Sequence, residues 1–186
     1  MGSRHKLLLP WGDATVIDQV LRAWTRSLVT RVVVIVRRDD SGLQEVCRRW
    51  GNVDLVIPED DPPDMKRSVE LGLQQIAAVY SPEDSDRWVV APADLPTLAS
   101  PLINRLIEAS LDSDSIVVPR FGDRRGHPIS VPWALARDVF TLRVDQGING
   151  LIALHPVQWL ELPANEYPDD IDTPSDYSRL SDGQTT

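Results

Sequence analysis

Cysteine is nearly absent from this sequence. The single cysteine, Cys47, excludes a disulfide within the chain and agrees with a reducing cytoplasm, which is the compartment that we expect. Cys47 shares a predicted helical face with Leu43, Val46 and Trp50. This spacing favours packing of the thiol in the core over chemical reactivity.

Long apolar runs and an excess of basic residues are also lacking. The longest apolar stretches, such as residues 32–36, are far too short to cross a bilayer, and residues 1–11 do not have the pattern of a signal peptide. The 28 acidic and 19 basic residues give a net charge of −9, which disfavours a general affinity for the nucleic acid backbone. We therefore expect neither a membrane nor a nucleic acid as a partner.

Several motifs that identify enzyme classes are missing. The sequence contains no Gly-x-Ser-x-Gly, no Walker A motif and no Gly-x-Gly-x-x-Gly. The three histidines, His5, His127 and His155, do not have the spacing of zinc ligands. The sequence therefore gives no support to a hydrolase, a P-loop protein, a dinucleotide-binding protein or a zinc site.

The apolar pattern predicts strands that alternate with helices. Of the 186 residues, 42% are hydrophobic, which suits one globular domain over the whole chain. Buried strands are predicted at residues 32–36, 53–57 and 88–91, with amphipathic helices between them. We therefore expect an α/β fold of three layers, Rossmann-like, with a mostly parallel sheet and right-handed connections.

The second half of the chain departs from this alternation. Residues 115–119 and 128–131 predict two short strands that form an antiparallel insertion. Residues 157–162 alternate enough to form an edge strand, and Thr173-Pro174 is typical of a helix start. We expect the last residues, 181–186, to form a disordered tail.

Asp94 follows the predicted strand at residues 88–91. Pro96 can neither extend a central strand nor donate to its ladder, so the chain must turn there. Open α/β sheets bind ligands at the carboxyl ends of their parallel strands, which makes Asp94 a candidate site residue. Asp94 can equally shape the turn or cap the helix that begins near Ser100, and both interpretations stay open at this point.

Three other stretches place polar groups at predicted loops or strand ends. The basic residues 4–6 can face phosphates or lie in solvent, and residues 124–128 can approach a ligand at Gly126 or form a plain loop. Asp170 and Asp172 form the third stretch. Two carboxylates from different loops that meet at the sheet edge would hold Mg²⁺, which prefers few carboxylates together with water and substrate phosphates.

Five motifs occur in an order that is more specific than any one of them. They are the segment 1–10 ending in Lys6-Leu7-Leu8-Leu9-Pro10, Met65-Lys66-Arg67-Ser68, Ala93-Asp94-Leu95-Pro96, Arg125-Gly126-His127-Pro128 and Asp170-Ile171-Asp172-Thr173-Pro174. Together they resemble the molybdopterin nucleotidyltransferase-like (MobA-like NTP transferase) family, nearest to its cytidylyltransferase branch. The resemblance covers nearly the whole chain.

The resemblance implies a Mg²⁺-dependent nucleotidyltransferase. Such an enzyme moves a nucleoside monophosphate from a nucleoside triphosphate, here CTP, to a phosphorylated small molecule such as molybdopterin, and it releases pyrophosphate. A protein partner in cofactor delivery is also implied. The implied site residues are Lys6 and Asp94 for catalysis, Lys6, Met65, Ser68 and Asp94 for the nucleotide, Arg125, Gly126, His127 and Asp145 for the acceptor, and Asp94 and Asp172 for the metal.

The sequence departs from the family pattern at two places. Asn149 stands where the family usually has an arginine, so a bidentate contact to phosphate or carboxylate is lost and the acceptor stays open. The family's first strand and most of its glycine-rich loop are also missing. The resemblance places that strand at the sheet centre, between the strands at 32–36 and 88–91, so we expect two unpaired strand edges and a true start upstream of Met1.

Two other functions remain open at this stage. The same reaction can act on another acceptor, such as a phospholactate or a sugar phosphate. Alternatively, the chain is a non-catalytic protein that binds a nucleotide or a partner and has lost the phosphate loop.

Overall fold

The computed structural model describes residues 5–143 and 146–182. The first half of the chain begins with a 3-10 turn and a short hairpin and continues with alternating helices and strands. These elements are the turn Lys6–Leu8, β1 (Pro10–Trp11), β2 (Ala14–Thr15), α1 (Val16–Thr25), β3 (Val32–Ile35), α2 (Ser41–Arg48), β4 (Val53–Val56), α3 (Met65–Tyr80) and β5 (Arg87–Val90).

The second half of the chain contains most of the strands that pair in the larger sheet. Its elements are α4 (Ser100–Glu108), β6 (Ile116–Phe121), β7 (Arg124–Arg125), β8 (Ile129–Pro132), a turn at Trp133–Leu135, α5 (Ala136–Val139), α6 (Asn149–Leu154), β9 (Val157–Leu162), a turn at Ala164–Glu166 and α7 (Pro174–Asp182). The helix α7 includes Ser181 and Asp182, which we expected in the tail, and residues 183–186 lie outside the described part of the chain.

Local sequence explains where the principal helices begin. At the start of α1 the Thr15 hydroxyl accepts a hydrogen bond from the Asp18 amide, and the Asp18 carboxylate accepts one from the Thr15 amide. This capping box satisfies two backbone donors that the first helical turn leaves free. Asp64 caps α3 by accepting a hydrogen bond from the Arg67 amide at 2.8 Å.

The strands form two separate sheets besides the β1–β2 hairpin. β3 and β4 pair in parallel, and the larger sheet has the order β5-β8-β6-β7 with β9 parallel to β6. Within the described residues, β3 and β5 belong to different sheets, and no strand joins them. The sequence predicts this gap, because the family's first strand is missing from it. β4 is the only described strand that pairs with β3, and the residues of β3 are partly buried rather than fully buried as predicted.

The α/β class and the antiparallel insertion are confirmed. β8 pairs antiparallel with both β5 and β6, and β6 pairs antiparallel with β7. The two-residue strand β7 lies in the segment that the sequence predicted as an irregular loop. β5 was predicted in a parallel arrangement, but its described partner, β8, is antiparallel.

The core brings the two ends of the chain together. Trp11 and Ile171 are both buried in one apolar cluster, and the hydroxyl of Tyr177 in α7 donates a hydrogen bond to the Pro10 carbonyl at 2.6 Å. Cys47 is fully buried, as predicted, and its burial, followed by the charges of Asp18 and Asp40, raises the pKa of the thiol to about 11. No helix among the described residues combines the length and apolar character needed to cross a bilayer.

Candidate active site

Two loops meet beside Asp94 and are fastened to each other. The Ile171 amide donates a hydrogen bond to the Asp94 carbonyl at 3.1 Å, and the Asp169 amide donates one to the Thr97 hydroxyl at 2.7 Å. Ile171 is only 1% exposed, so its side chain fixes the second loop in the core. These contacts therefore hold the backbone at Asp94 close to the backbone that leads to Asp172.

Lys6 lies between these two carboxylates. Its Nζ is 2.5 Å from Asp94 Oδ2 and 3.4 Å from Asp172 Oδ1. Burial lowers the pKa of the Lys6 ammonium, but the hydrogen bonds and charges of Asp94 and Asp172 outweigh burial, so that this pKa lies above its usual value. Two carboxylates from different loops thus lie within reach of one ammonium, and their role as metal ligands stays a prediction.

The carboxylates of Asp94 and Asp172 fit a divalent cation that takes its other ligands from water and from the substrate. Within residues 5–143 and 146–182, no group of three or more His, Cys, Asp or Glu side chains is placed to hold a metal ion. Two carboxylates fit Mg²⁺ or Mn²⁺ only when water and substrate phosphates complete the coordination. The ammonium between Asp94 and Asp172 is evidence that a cation suits this position.

Asp94 does not cap the next helix. The N-cap of α4 is Ala99, and no side chain makes a capping hydrogen bond there. Pro101, the second residue of α4, removes one of the backbone donors that the first helical turn leaves free. The alternative interpretation of Asp94 as a helix cap is thus wrong, and its carboxylate faces Lys6 instead.

Met65 and Ser68 lie in the first turn of α3. Met65 is 43% exposed. The Ser68 hydroxyl donates a hydrogen bond to the Asp64 carbonyl at 3.2 Å rather than to the Lys6–Asp94–Asp172 group. Their role beside the nucleotide base stays a prediction.

The same turn contains an ion cluster that the sequence analysis did not single out. Lys66 Nζ is 2.6 Å from Glu70 Oε1, and Arg67 Nη1 is 2.9 Å from Glu70 Oε2. The side chains of Lys66 and Glu70 are each 11% exposed. The spacing of i and i+4 on a predicted helix was the signal that could have found this pair.

Arg125 is the last residue of β7, and His127 lies on the connection from β7 to β8. Arg125 donates a hydrogen bond to Asn149 Oδ1 at 2.7 Å, so Asn149 orients this guanidinium. Burial and then the positive charge of Arg125 lower the pKa of His127, although the charges of Asp94 and Asp170 act in the opposite direction. The imidazole is therefore neutral at pH 7. Asp145, the fourth residue predicted for the acceptor, lies outside the described residues.

Gly126 is surrounded by aromatic rings. A Cβ atom at this position would lie 2.6 Å from Phe121 Cε2 and 3.4 Å from Tyr167 Cε2. Phe121 is only 1% exposed and its ring meets that of Tyr167 edge to face. The close approach that the sequence suggested for a ligand is thus made, within the described chain, by these rings.

We expect Gly126→Ala to lower the free energy of unfolding by about 1–3 kcal/mol, because the added methyl overpacks a rigid aromatic contact. Urea denaturation measures this change. Gly51→Ala is the matched control, since a Cβ there meets no atom within 4 Å, and it should stay within about 0.5 kcal/mol of the parent. Equal stability of the two variants would contradict the packing that we describe at Gly126.

Comparison with known proteins identifies relatives of the whole fold. The sequence profile described as the MobA-like NTP transferase domain matches residues 1–160. No curated protein sequence gives a significant match. A structure of Rv0371c from Mycobacterium tuberculosis H37Rv in complex with manganese is 25% identical, with a TM-score of 0.80 over 97% of this chain and 93% of that chain.

Two more distant structures share the fold alone. A nucleotidyl transferase from Methanothermobacter thermautotroptrophicus is 22% identical, with a TM-score of 0.76 over 97% of this chain and 85% of that chain. A CMP:2-keto-3-deoxy-manno-octonic acid synthetase complexed with CTP is 12% identical, with a TM-score of 0.73 over 99% of this chain and 94% of that chain.

Proposed function

The chain belongs to the MobA-like NTP transferase family and is a nucleotidyltransferase, and from this premise we propose that it transfers a nucleoside monophosphate from CTP to a phosphorylated small molecule such as molybdopterin. The observation that carries the proposal is the position of Lys6 between Asp94 and Asp172. This cluster combines an ammonium that suits phosphates with two carboxylates that suit a divalent cation.

The reaction exchanges one phosphoanhydride bond for another. An oxygen of the acceptor phosphate attacks the α-phosphorus of the triphosphate, the bond from the α-phosphorus to the bridging oxygen breaks, and pyrophosphate leaves. Such a reaction needs positioning and neutralisation of charge more than covalent participation of the protein. Lys6 donates hydrogen bonds to the β- and γ-phosphates and offsets the charge that develops on the leaving oxygen.

Asp94 and Asp172 would hold a divalent cation, for which we propose Mg²⁺. When bound, this ion would supply positive charge that neutralises the phosphates. A manganese complex of the 25% identical mycobacterial protein supports a divalent metal in this fold. The hydrogen bonds between the two loops hold the backbone at Asp94 close to the backbone that leads to Asp172.

The remaining residues orient the two substrates. Met65 and Ser68 lie beside the base, at the start of α3. Arg125, held by Asn149, binds an anionic group of the acceptor, and the neutral His127 and Gly126 line the same side. The preference for CTP is supported by the CTP complex of the synthetase that shares this fold.

Thermal unfolding with each nucleoside triphosphate and Mg²⁺ tests the choice of donor. Binding at 100 times the dissociation constant stabilises the folded state by about 2.7 kcal/mol, which corresponds to about 5–10 °C for a chain of this size. We expect this shift for CTP and a shift at least about threefold smaller for ATP, GTP and UTP.

Pyrophosphate release completes the test with molybdopterin, a phospholactate and a sugar phosphate as acceptors. Release with CTP and molybdopterin supports the proposal in full. Release only with another acceptor would show that this acceptor, and not molybdopterin, is the substrate. Equal thermal shifts with all four nucleotides would contradict the preference for CTP. Nucleotide binding without pyrophosphate release under any condition would overturn the catalytic function.

A further inference from the structure

The ammonium of Lys6 lies where a metal ion would have to bind. Nζ contacts Asp94 Oδ2 at 2.5 Å and Asp172 Oδ1 at 3.4 Å, so the carboxylates of both loops point at one cation. A divalent ion bound to the same oxygens would lie close to this ammonium, and like charges at such a distance repel each other strongly. The metal and the Lys6 ammonium therefore exclude each other from this position.

The Lys6 side chain is free to leave this position, whereas the backbones that carry the two carboxylates are held in place. The loops that carry Asp94 and Asp172 are fastened by the Ile171 amide and by Thr97, as described above. The backbone at Lys6 is held in its turn by a hydrogen bond from the Leu9 amide at 3.3 Å. The side chain of Lys6 is 39% exposed, and its four-carbon stem is flexible.

We propose that Lys6 is an internal counter-ion that closes the metal position in the free protein and leaves it when the phosphates of a nucleotide take the ammonium. This inference rests on the metal position of the proposed function and adds its regulation. Nucleotide and metal then assist each other's binding, because each favours the state in which Lys6 has left the carboxylates. In the free protein, the Lys6 ammonium thus neutralises the charge of the two carboxylates until a nucleoside triphosphate binds.

Mn²⁺ titration without nucleotide tests this proposal, with electron paramagnetic resonance or calorimetry as the readout. We expect Lys6→Met, which keeps most of the stem and removes the charge, to bind Mn²⁺ at least tenfold more tightly than the parent. Arg179→Met is the matched control, because Arg179 is 3.9 Å from Asp169 and makes no described contact to Asp94 or Asp172. It should change Mn²⁺ affinity less than twofold.

A second readout follows the ammonium itself. The chain contains two lysines, Lys6 and Lys66, so a ¹⁵N-lysine spectrum has two side-chain signals. Addition of Mg²⁺ should shift the Lys6 signal and leave that of Lys66 in place, since Lys66 is paired with Glu70.

The outcomes separate the two proposals. Equal Mn²⁺ affinity of Lys6→Met and the parent, with binding lost in Asp94→Asn, would overturn the counter-ion and leave the metal site standing. Absence of Mn²⁺ binding from every variant, even with CTP, would overturn the metal site and the counter-ion with it.

Discussion

Asp94→Asn is expected to reduce nucleotidyl transfer by at least about 100-fold, the scale seen when one group that stabilises transition-state charge is removed. The neutral amide is a poor ligand for Mg²⁺, and it no longer balances the charge of Lys6. Pyrophosphate release at saturating CTP and Mg²⁺ measures the effect. We also expect Mn²⁺ affinity to fall at least about tenfold.

The fold should survive this substitution. The Asp94 side chain is 17% exposed, and asparagine keeps an oxygen that accepts a hydrogen bond from Lys6. Asp112→Asn is the control, because this exposed carboxylate follows α4 and has no described ion pair. Unchanged turnover in Asp94→Asn, or an equal loss in Asp112→Asn, would remove Asp94 from the catalytic site.

Glu70→Gln is expected to lower the free energy of unfolding by about 2–4 kcal/mol. The substitution leaves the Lys66 ammonium, which is 11% exposed, without its carboxylate, and an uncompensated charge in such a position is costly. Replacing both partners by apolar residues, Lys66→Met with Glu70→Leu, should cost less than Glu70→Gln alone. Urea denaturation of both variants measures the difference.

The effect of Glu70→Gln depends on pH in a defined direction. Burial raises the pKa of the Glu70 carboxyl, but the hydrogen bonds from Lys66 and Arg67 outweigh burial and hold this pKa below its ordinary value of 4.5. A depressed pKa contributes stability that is present above the unfolded value and is lost as the pH falls through the folded value. The gap between parent and Glu70→Gln should thus be full above about pH 5.5 and shrink below pH 4.5.

Two results would contradict this assignment. A gap that stays constant between pH 7 and pH 3 would mean that the charge of Glu70 is not the source of the stability. A similar loss in Glu108→Gln, an exposed carboxylate on α4, would mean that any reduction in negative charge has the same effect.

The sequence predicted α3 well because two local signals agree there. Asp64 supplies the cap, and apolar residues at helical spacing continue to Tyr80. The strand β9 was also predicted with its observed bounds, Val157–Leu162. In each segment the local pattern and the tertiary environment favour the same structure.

Other features depend on neighbours that no local pattern contains. The family resemblance implied that Asp94 and Asp172 act together, whereas the position of Lys6 between them was not predicted, because nothing in the sequence near Lys6 indicates where its turn will pack. The packing of the Phe121 and Tyr167 rings against Gly126 could likewise not be predicted from the sequence, because it depends on the tertiary structure.

The contact between Lys6 and Asp172 spans 166 positions of the sequence. During synthesis on a ribosome, the first of these residues emerges long before the second, and the hydrogen bond between Tyr177 and Pro10 joins residues that are 167 positions apart. Closing so long a loop is entropically costly and slow compared with forming local helices. Local helices such as α1 can therefore form while synthesis continues, but the contact between Lys6 and Asp172 forms only after residue 172 has left the ribosome.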